Sequence, residues 1–275
     1  MEEITAEFSS DTLAPSAELK VKPVVTVACK TDIGRVREIN QDKFEYFQPE
    51  DPAKLATRGL VFLVCDGMGG HAAGQVASEL ALKTFIDVYL NHPADDPAVA
   101  IRAAVQAANR FVLDNARAFP ARRGMGTTLT GVILIQDQAY VVNVGDSRTY
   151  RTRGGELVQL THDHTYVDEL IRAGVIGPEE ARTHPQKNVI TRAIGIEGDL
   201  QPDIFVEELQ EGDSFMMCSD GIINHVTDEE VGSILTSLAP AAAAWKLVGQ
   251  ALIGGGTDNA TAMIVRVDAL IAPSA

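Results

Sequence analysis

Two apolar segments with a very short connection constrain the fold of this chain more than any other feature. Thr128–Ile135 and Ala139–Gly145 are rich in β-branched residues, as β-strands are, and only residues 136–138 separate them. Because so short a connection can join only antiparallel neighbours, the two segments predict a hairpin. Residues 147–160 predict another hairpin, which turns at Gly154-Gly155. The chain is therefore expected to contain antiparallel sheet.

The remaining segments alternate between further strands and pairs of helices. Short apolar runs bounded by turn residues predict strands at Val24–Cys29, at Leu60–Cys65, near Phe205, at Ser214–Cys218 and at Ala260–Val267. Apolar residues at helical spacing and N-terminal capping residues predict helices at 72–90, 97–119, 228–238 and 241–252. Hairpins and helix pairs in separate blocks argue against a doubly wound parallel sheet. We predict an α+β fold, a four-layer αββα sandwich of two antiparallel β-sheets packed face to face and flanked by helix pairs.

A single globular domain is predicted, with a tail before it and an insert within it. Residues 1–23 are polar and show no sustained period, so they predict a flexible N-terminal tail. Residues 24–270 show no internal repeat and no linker, and predict one domain. Within them, residues 165–188 predict a polar helical insert with a break at Gly177-Pro178, and residues 48–52 predict a surface loop.

The charge and the cysteines argue against several classes of protein. A formal charge of −15 disfavours nucleic-acid binding, which gains affinity from clustered lysine and arginine. No apolar run is long enough for a membrane span, and the acidic N-terminus lacks the plan of a signal peptide. Cys29, Cys65 and Cys218 are far apart in sequence and predict reduced core thiols. We therefore expect a cytoplasmic protein with no membrane insertion and no nucleic-acid partner.

Five aspartates stand at or near the ends of predicted strands: Asp42, Asp66, Asp146, Asp220 and Asp258. Each one alone could be an ordinary turn residue, since Asp-Gly and Asp-Asn are turn dipeptides. Together they indicate a shared site, because packed sheets bring their strand ends to a common edge. Carboxylates so close together repel each other unless a cation neutralises them, and oxygen ligands of this kind select Mg²⁺ or Mn²⁺. Two such cations, roughly 3.5–4 Å apart, can activate a water molecule for attack on phosphorus.

Seven motifs in a fixed order match a known family. They are Val36–Asp42, Asp66–Gly70, Gly126–Thr128, Gly145–Arg148, Leu160–His164, Ser219–Gly221 and Asp258-Asn259. In this combination they resemble the type 2C metal-dependent serine/threonine protein phosphatases, the PPM family, and look most like its compact bacterial members. The resemblance extends over roughly residues 26–267. It implies a β-sandwich flanked by helix pairs, in agreement with the pattern of strands and helices.

The resemblance also implies a role for each metal-site residue. Asp66, the Gly67 carbonyl, Asp220 and Asp258 would hold two central cations. Asp42 would act close by, mainly through metal-bound water. Asp146 together with Asp220 would hold a third, weaker cation, as in bacterial members. The implied cofactors are two to three Mn²⁺ or Mg²⁺ ions, and the implied catalytic residues are Arg37, Asp42, Asp66, Asp220 and Asp258.

Two further features follow from the resemblance. Arg37 matches the arginine that grips the substrate phosphate, a role that suits a planar fork giving two parallel hydrogen bonds, which lysine cannot copy. The alternative for Arg37 is a surface salt bridge with Glu38 or Asp42. Residues 165–188 correspond to the family's flap beside the active site, and the alternative for them is an ordinary surface helix pair.

Three positions or pairs need separate interpretation. Met68 stands where many eukaryotic members carry the histidine assigned as general acid, and the nearby His71 is equally well explained by packing at a helix start, so the general acid stays unassigned. Gln41 stands where many relatives have Glu, and one charge fewer predicts weaker metal binding. His162 and His164 alternate along an extended segment, but the aspartates already supply the ligands, so we interpret them as structural.

The sequence thus predicts a phosphatase that hydrolyses phosphoserine and phosphothreonine in other proteins. A metal-activated water would attack directly, without a phospho-enzyme intermediate, because the chain lacks a DxDxT-like nucleophile motif. The expected partners are phosphorylated proteins, the targets of a serine/threonine kinase in bacterial signal transduction, and the enzyme is expected to act as a monomer. Two alternatives stay open: a binding or scaffold module that keeps the fold without chemistry, and a metal-dependent hydrolase of small phosphate esters or nucleotides.

Overall fold

The structure is a computed structural model, and it describes residues 18–70, 72–196 and 198–272. Its strands are β1 Lys22–Asp32, β2 Lys43–Phe47, β3 Leu60–Cys65, β4 Gly67–Met68, β5 Gly126–Thr127, β6 Leu129–Ile135, β7 Gln138–Val144, β8 Arg148–Arg153, β9 Glu156–Gln159, β10 Asp203–Glu208, β11 Ser214–Cys218 and β12 Ala260–Ile271. One five-stranded sheet has the order β1-β12-β11-β8-β9, and the other has the order β10-β7-β6-β3-β2. The short strands β4 and β5 pair separately, and every strand pair in these sheets is antiparallel.

The helices lie between the strands in sequence, and α3 and α7 start where their capping residues predict. They are α1 Pro52–Arg58, α2 Ala73–Asn91, α3 Pro97–Ala118, α4 Tyr166–Arg172, α5 Pro178–Thr183, α6 Asp220–Ile223, α7 Asp228–Ser237 and α8 Pro240–Ile253. At the start of α3, the side chain of Asp96 accepts a hydrogen bond from the Ala98 amide at 2.8 Å. At the start of α7, Thr227 and Glu230 form both bonds of a capping box.

Each sheet is covered on both faces, which gives four layers. Helices α2 and α3 pack on the outer face of β3, β6 and β7, and α6, α7 and α8 pack on the outer face of β8, β11 and β12. In β3, Val61 and Leu63 face the helices, whereas Phe62 and Val64 face the other sheet. An antiparallel strand with both faces buried reads as a continuous apolar run, as Leu60–Cys65 does. The predicted α+β sandwich is confirmed.

Some elements differ from the sequence-based expectation. The stretch predicted as a loop at residues 48–52 leads directly into α1, whose N-cap is Asp51. Strand β2 was not predicted, because it is a five-residue strand at the edge of its sheet, and most of its residues are exposed. Strands β1 and β12 run longer than predicted, since they pair with each other from Lys22 with Ile271 to Asp32 with Ala260.

The boundaries of the predicted units can be compared with the elements. Strand β1 begins at Lys22, shortly before the predicted domain start at residue 24, and residues 1–17 of the predicted tail lie outside the described residues. The predicted insert at 165–188 contains α4 and α5. It is anchored at its base, where the Tyr166 amide donates to the Val189 carbonyl at 2.9 Å. In the part of the chain that the structure describes, none of the helices has the length and apolarity needed to cross a membrane.

Candidate active site

Five strand ends carry the predicted carboxylates to one edge of the sandwich. Asp66 follows β3, Asp146 follows β7, Asp220 follows β11, Asp42 precedes β2 and Asp258 precedes β12. The antiparallel register explains how two of them meet, because Lys43 at the start of β2 pairs with Cys65 at the end of β3. A strand that ends at this edge thus lies beside one that begins there.

Burial and neighbouring carboxylates raise the pKa of four of these side chains, Asp42, Asp66, Asp146 and Asp220. Burial, followed by the charges of Asp42, Asp220, Asp146 and Asp258, raises the pKa of Asp66 well above its ordinary value. Burial and then the charge of Asp220 raise the pKa of Asp146 to about 7. Burial and then the charge of Asp258 raise the pKa of Asp220. The five side chains therefore form one electrostatic unit, and a cation among them would relieve the repulsion.

Asp42 is the most enclosed of the five, with 3% of its surface exposed. Its Oδ2 accepts hydrogen bonds from the Ser219 hydroxyl at 2.7 Å and from the Thr261 hydroxyl at 2.6 Å. Its Oδ1 is buried and has no hydrogen-bond partner. Burial raises the pKa of Asp42 to about 6, and the two hydroxyl bonds oppose that rise.

Asp220 stands at the start of α6, directly after β11. Its Oδ2 accepts a hydrogen bond from the side-chain Nδ2 of Asn224 at 3.1 Å, and its Oδ1 is buried without a partner. The next residue is close to the segment that carries Asp258, because a Cβ on Gly221 would lie 1.9 Å from the Asn259 carbonyl oxygen. Only glycine allows this approach of two backbones.

The backbone after β3 is held by two threonines. The Asp66 amide donates to the Thr128 hydroxyl at 2.9 Å, and the Asp66 carbonyl accepts from the Thr127 hydroxyl at 2.8 Å. Gly67 follows, and a Cβ on it would lie 2.2 Å from the Gly74 carbonyl oxygen. The segment that carries Asp66 is therefore close-packed and fixed in place.

Arg37 lies at the rim of the site. Its Nη2 donates to the Oδ2 of Asp258 at 2.7 Å, and 52% of its side chain is exposed. The structure thus pairs Arg37 with Asp258 rather than with Glu38 or Asp42, the two partners considered from the sequence. The bond with Asp258 raises the pKa of Arg37, so the guanidinium stays charged.

Asp146 follows a backbone turn that a buried histidine holds. Gly145 has a φ of +105°, and its amide donates to the Nδ1 of His164 at 3.1 Å. His164 is 2% exposed, and its Nε2 lies 3.1 Å from the Oδ2 of Asp203. His162 contacts the ring of Phe205 edge-on, 5.8 Å between centroids. Both contacts fit the structural interpretation of this histidine pair.

The residues at this edge suit hard divalent cations by their chemistry. The five carboxylates offer only oxygen donors, the kind that Mg²⁺ and Mn²⁺ prefer. Two buried oxygens, Oδ1 of Asp42 and Oδ1 of Asp220, lack hydrogen-bond partners, and such atoms are uncommon unless an ion or water completes them. Among the described residues, no three acidic, histidine or cysteine side chains form a closed cation cage. The argument that these residues suit a divalent cation therefore depends on their oxygen donors and on the two unpartnered oxygens.

The positions at which this chain departs from the pattern of its relatives are also visible in the structure. Met68 is half-buried in β4, paired with Gly126, and its thioether has no proton to give. The backbone N–H of Gln41 donates to the side-chain Oδ1 of Asn259 at 2.8 Å. The side-chain Nε2 of Gln41 donates to the Gly69 carbonyl at 3.3 Å. His71 lies outside the described residues.

Three supporting residues had no role assigned from the sequence, although Ser219 and Asn259 lie within the family motifs. Ser219 and Thr261 hold Asp42 by their hydroxyls, and Asn259 donates to the carbonyls of Ile33 and Ile39 at 2.9 Å and 3.1 Å. The signal that could have found them is adjacency, since each stands within three residues of a site aspartate. Their roles depend on the register of β11 and β12, which spacing alone does not reveal.

Comparisons with known proteins agree with this geometry. Residues 35–251 match the protein phosphatase 2C family. The chain is 38% identical over 244 residues to the serine/threonine phosphatase stp of Listeria monocytogenes, a match that covers 87% of this chain and 94% of that protein. The crystal structure of the serine/threonine phosphatase PstP/Ppp of Mycobacterium tuberculosis matches with a TM-score of 0.78 at 36% identity, over 89% of this chain and 99% of that one.

A structure with bound metal is also similar. The catalytic domain of the serine/threonine protein phosphatase PstP in complex with two manganese ions matches with a TM-score of 0.75 at 34% identity, over 90% of this chain and 98% of that one. The resemblance drawn from the motifs is confirmed. Because the family match, the sequence relative and both solved structures each span most of its length, this chain belongs to the protein phosphatase 2C family.

Proposed function

We infer that this chain is a metal-dependent protein phosphatase that hydrolyses phosphoserine and phosphothreonine in other proteins. Water attacks directly, without a phospho-enzyme intermediate. One observation carries the inference: five mutually repelling carboxylates share one edge of the sandwich, and a half-exposed arginine stands beside them. Family membership and the manganese-bound relative support the same reaction.

The site carboxylates are the proposed ligands of two to three Mn²⁺ or Mg²⁺ ions. Asp66, the Gly67 carbonyl, Asp220 and Asp258 hold the two central ions, with Asp42 close by. Asp146 and Asp220 hold the third. Such ions, when bound, supply Lewis-acid chemistry, since they lower the pKa of water and neutralise charge on the phosphate. The unpartnered oxygens of Asp42 and Asp220 support this assignment.

Arg37 is the proposed phosphate ligand. Its exposed guanidinium can turn from the Asp258 carboxylate toward a phosphate, because the bond that it makes now is a single one at the rim. A guanidinium offers a phosphate two parallel charge-assisted hydrogen bonds. Arg37 would thus orient the phosphoryl group above the carboxylates and take up part of its negative charge.

The insert at 165–188 is the proposed flap over the substrate. It is joined to the body near Thr165 and Ile190, and most of its surface is exposed. A polar segment with few buried side chains can move to admit a substrate. Trypsin is expected to cut first at the exposed residues Arg172 and Lys187, and a bound phosphopeptide is expected to slow that cleavage. Equal cleavage rates with and without peptide would contradict the flap role.

We further propose a cytoplasmic enzyme that acts as a monomer in signal transduction, on targets of a serine/threonine kinase. Cys29, Cys65 and Cys218 are all free thiols. Burial raises the pKa of Cys29 and Cys218 to about 12, so neither is a thiolate at neutral pH. Unpaired structural thiols are typical of a reducing compartment.

The direct test is phosphate release from a phosphothreonine peptide. Activity is expected to require Mn²⁺, to disappear with EDTA and to be abolished by Asp220→Ala. Asp114→Asn, an exposed carboxylate on α3, is the control and is expected to keep full activity. Activity that survives EDTA, or that survives Asp220→Ala, would refute the proposal.

The same preparation separates the alternatives. Calorimetry that shows no uptake of Mn²⁺ or Mg²⁺ would favour a scaffold module. A panel of phosphopeptides, nucleotides and small phosphate esters, compared by kcat/KM, would favour the small-molecule hydrolase if the peptides were the poorer substrates.

A further inference from the structure

A short run of hydrogen bonds ends on one oxygen of Asp42. The Oδ2 atom accepts from the Ser219 and Thr261 hydroxyls, and both of these residues are fully buried. Thr261 lies 2.7 Å from the Thr31 hydroxyl, and Thr31 accepts from the side-chain amide of Asn40 at 2.9 Å. The run therefore joins β1, β12, the segment after β11 and the loop before β2.

The direction of every bond in this run is forced. An ionised carboxylate can only accept, so Thr261 donates to Asp42. A hydroxyl has a single proton, so Thr261 must accept from Thr31, which in turn accepts from Asn40. The Asp42 amide closes the loop by donating to the Asn40 side-chain oxygen at 3.1 Å. No bond in this run can reverse its donor and acceptor without leaving another polar group unpaired, and an unpaired buried polar group destabilises the fold.

The other oxygen of Asp42 has no partner. Its Oδ1 is buried and receives no hydrogen bond in the structure. Oδ2 has two donors and Oδ1 has none, so the orientation of the carboxylate is fixed. Rotation about the Cβ–Cγ bond would move Oδ2 away from the two hydroxyls that bind it. One oxygen of Asp42 is thus satisfied by the protein, and the other is left as an acceptor without a protein partner, in a carboxylate that feels the charges of Asp220 and Asp258.

We propose that Thr261, Ser219 and Thr31 are positioning residues, which hold Asp42 so that its Oδ1 serves the cations and their water. The inference depends on the cation site proposed above and deepens it. The hydroxyls do not touch a cation; they act through the orientation of Asp42. Loss of an outer partner of a metal-site residue usually weakens metal affinity about 10- to 100-fold.

Thr261→Val is the cleanest change, because it replaces a hydroxyl by a methyl of similar size and keeps the backbone bonds of β12. Each change also removes an acceptor from a neighbour: Thr261→Val from the Thr31 hydroxyl at 2.7 Å, and Ser219→Ala from the backbone amide of Thr261 at 3.0 Å. Thr261→Val is preferred, because a hydroxyl can rotate to another partner and a backbone amide cannot. Thr261→Ser restores the hydroxyl. If Thr261→Val fails to fold, Thr31→Val, which is one bond further from Asp42, replaces it in the test.

The chain offers a matched control. Thr130 and Thr149 are buried and share a hydroxyl–hydroxyl bond of 2.8 Å between the two sheets. Thr130→Val removes the same kind of bond, and that bond ends on a threonine rather than on a carboxylate. It is expected to lower stability without changing Mn²⁺ affinity.

The measurement is Mn²⁺ binding to the EDTA-stripped full chain by titration calorimetry, with unfolding followed in parallel. Thr261→Val is expected to raise the Mn²⁺ dissociation constant about tenfold or more, with Thr261→Ser close to wild type. At saturating Mn²⁺, kcat on a phosphopeptide should fall more than KM rises. A folded Thr261→Val protein with wild-type affinity would overturn the inference, as would an equal loss in Thr130→Val. Wild-type protein that binds no Mn²⁺ would instead overturn the proposed function itself.

Discussion

The guanidinium of Arg37 donates to the carboxylate of Asp258 across 2.7 Å, and so joins the proposed phosphate ligand to a proposed cation ligand. The two residues are distant in sequence, since 221 positions separate them. Arg37 is 52% exposed and Asp258 is 28% exposed, so the pair is open to solvent and easily exchanged. A bound phosphate would draw Arg37 out of this pair, and a bound cation would draw Asp258 out of it.

Arg37→Ala and Arg37→Lys are expected to affect catalysis far more than stability. A charge-assisted bond to phosphate contributes about 1.5–3 kcal/mol, which corresponds to roughly 10- to 100-fold in kcat/KM. The exposed pair with Asp258 contributes at most about 1 kcal/mol to folding. Lysine should rescue little, because it lacks the planar fork.

The measurement for Arg37 is kcat/KM on a phosphothreonine peptide together with the unfolding midpoint. Arg35→Ala is the matched control, since Arg35 is an exposed arginine on the same loop. Equal losses in the two variants would mean that only the general positive charge of this loop matters.

Two glycines of the same motif should respond differently to alanine. A Cβ on Gly67 would meet the Gly74 carbonyl at 2.2 Å and the Gln41 carbonyl at 2.7 Å, whereas a Cβ on Gly70 would meet nothing within 4 Å. Gly67→Ala is expected to lower the free energy of unfolding by about 1–3 kcal/mol, because backbone must move, and to reduce activity. Gly70→Ala should stay within about 0.5 kcal/mol of wild type in urea unfolding. Similar losses in both would contradict the packing argument.

The buried layers could be predicted because their strands and helices consist of apolar residues at regular spacing. Leu60–Cys65 was predicted with the same bounds that β3 has, since a strand covered on both faces is apolar throughout. The start of α3 was predictable from Asp96 and Pro97, which act locally. Strand β2 escaped prediction because an exposed edge strand carries no burial pattern, although Tyr46 on it stacks on Phe62 at 5.3 Å.

The sequence predicted which aspartates form the site, but not which residues bind to them. Strand ends placed the five aspartates at a common edge, and the motifs identified the family. The partners of those aspartates depend on register: which threonine faces Asp42 follows from the pairing of Cys218 with Ala262, a contact between distant segments. For the same reason, the partner of Arg37 was sought nearby in sequence and found at Asp258. The roles of the individual site residues stay predictions.

The metal-free protein should become less stable as pH rises. Burial and neighbouring charge raise the pKa of Asp146 from an ordinary value of 3.8 to about 7, and that of Asp42 to about 6. The folded state therefore holds these protons more tightly than the unfolded state does. Their stabilising contribution is complete below about pH 4 and is lost as pH rises through the folded-state pKa values, up to about pH 7.

Asp146→Asn tests that pH dependence, because asparagine does not ionise. In EDTA, the variant is expected to exceed wild type by about 1–3 kcal/mol at pH 8, and this advantage is expected to shrink steadily as the pH is lowered to 5. Urea unfolding at intervals from pH 5 to pH 8 measures it, with the exposed Asp114→Asn as control. Saturating Mn²⁺ should reverse the order at pH 8, since wild type alone keeps the carboxylate. Parallel pH curves for both proteins in EDTA would contradict the repulsion argument.

His164 offers a test of how the turn before Asp146 is held. Because the Gly145 amide donates to Nδ1, the proton of the neutral ring lies on Nε2 and points to Asp203. Asparagine can place an oxygen where Nδ1 stands and keep the Gly145 bond, whereas glutamine reaches toward Asp203 and leaves the buried Gly145 amide unpaired, at a cost of about 1–3 kcal/mol. His164→Asn is therefore expected to retain more activity and a lower Mn²⁺ requirement than His164→Gln. Activity measured against Mn²⁺ concentration, beside urea unfolding, separates the two, and a glutamine variant that outperforms asparagine would show that Asp203, not Gly145, is the contact that matters.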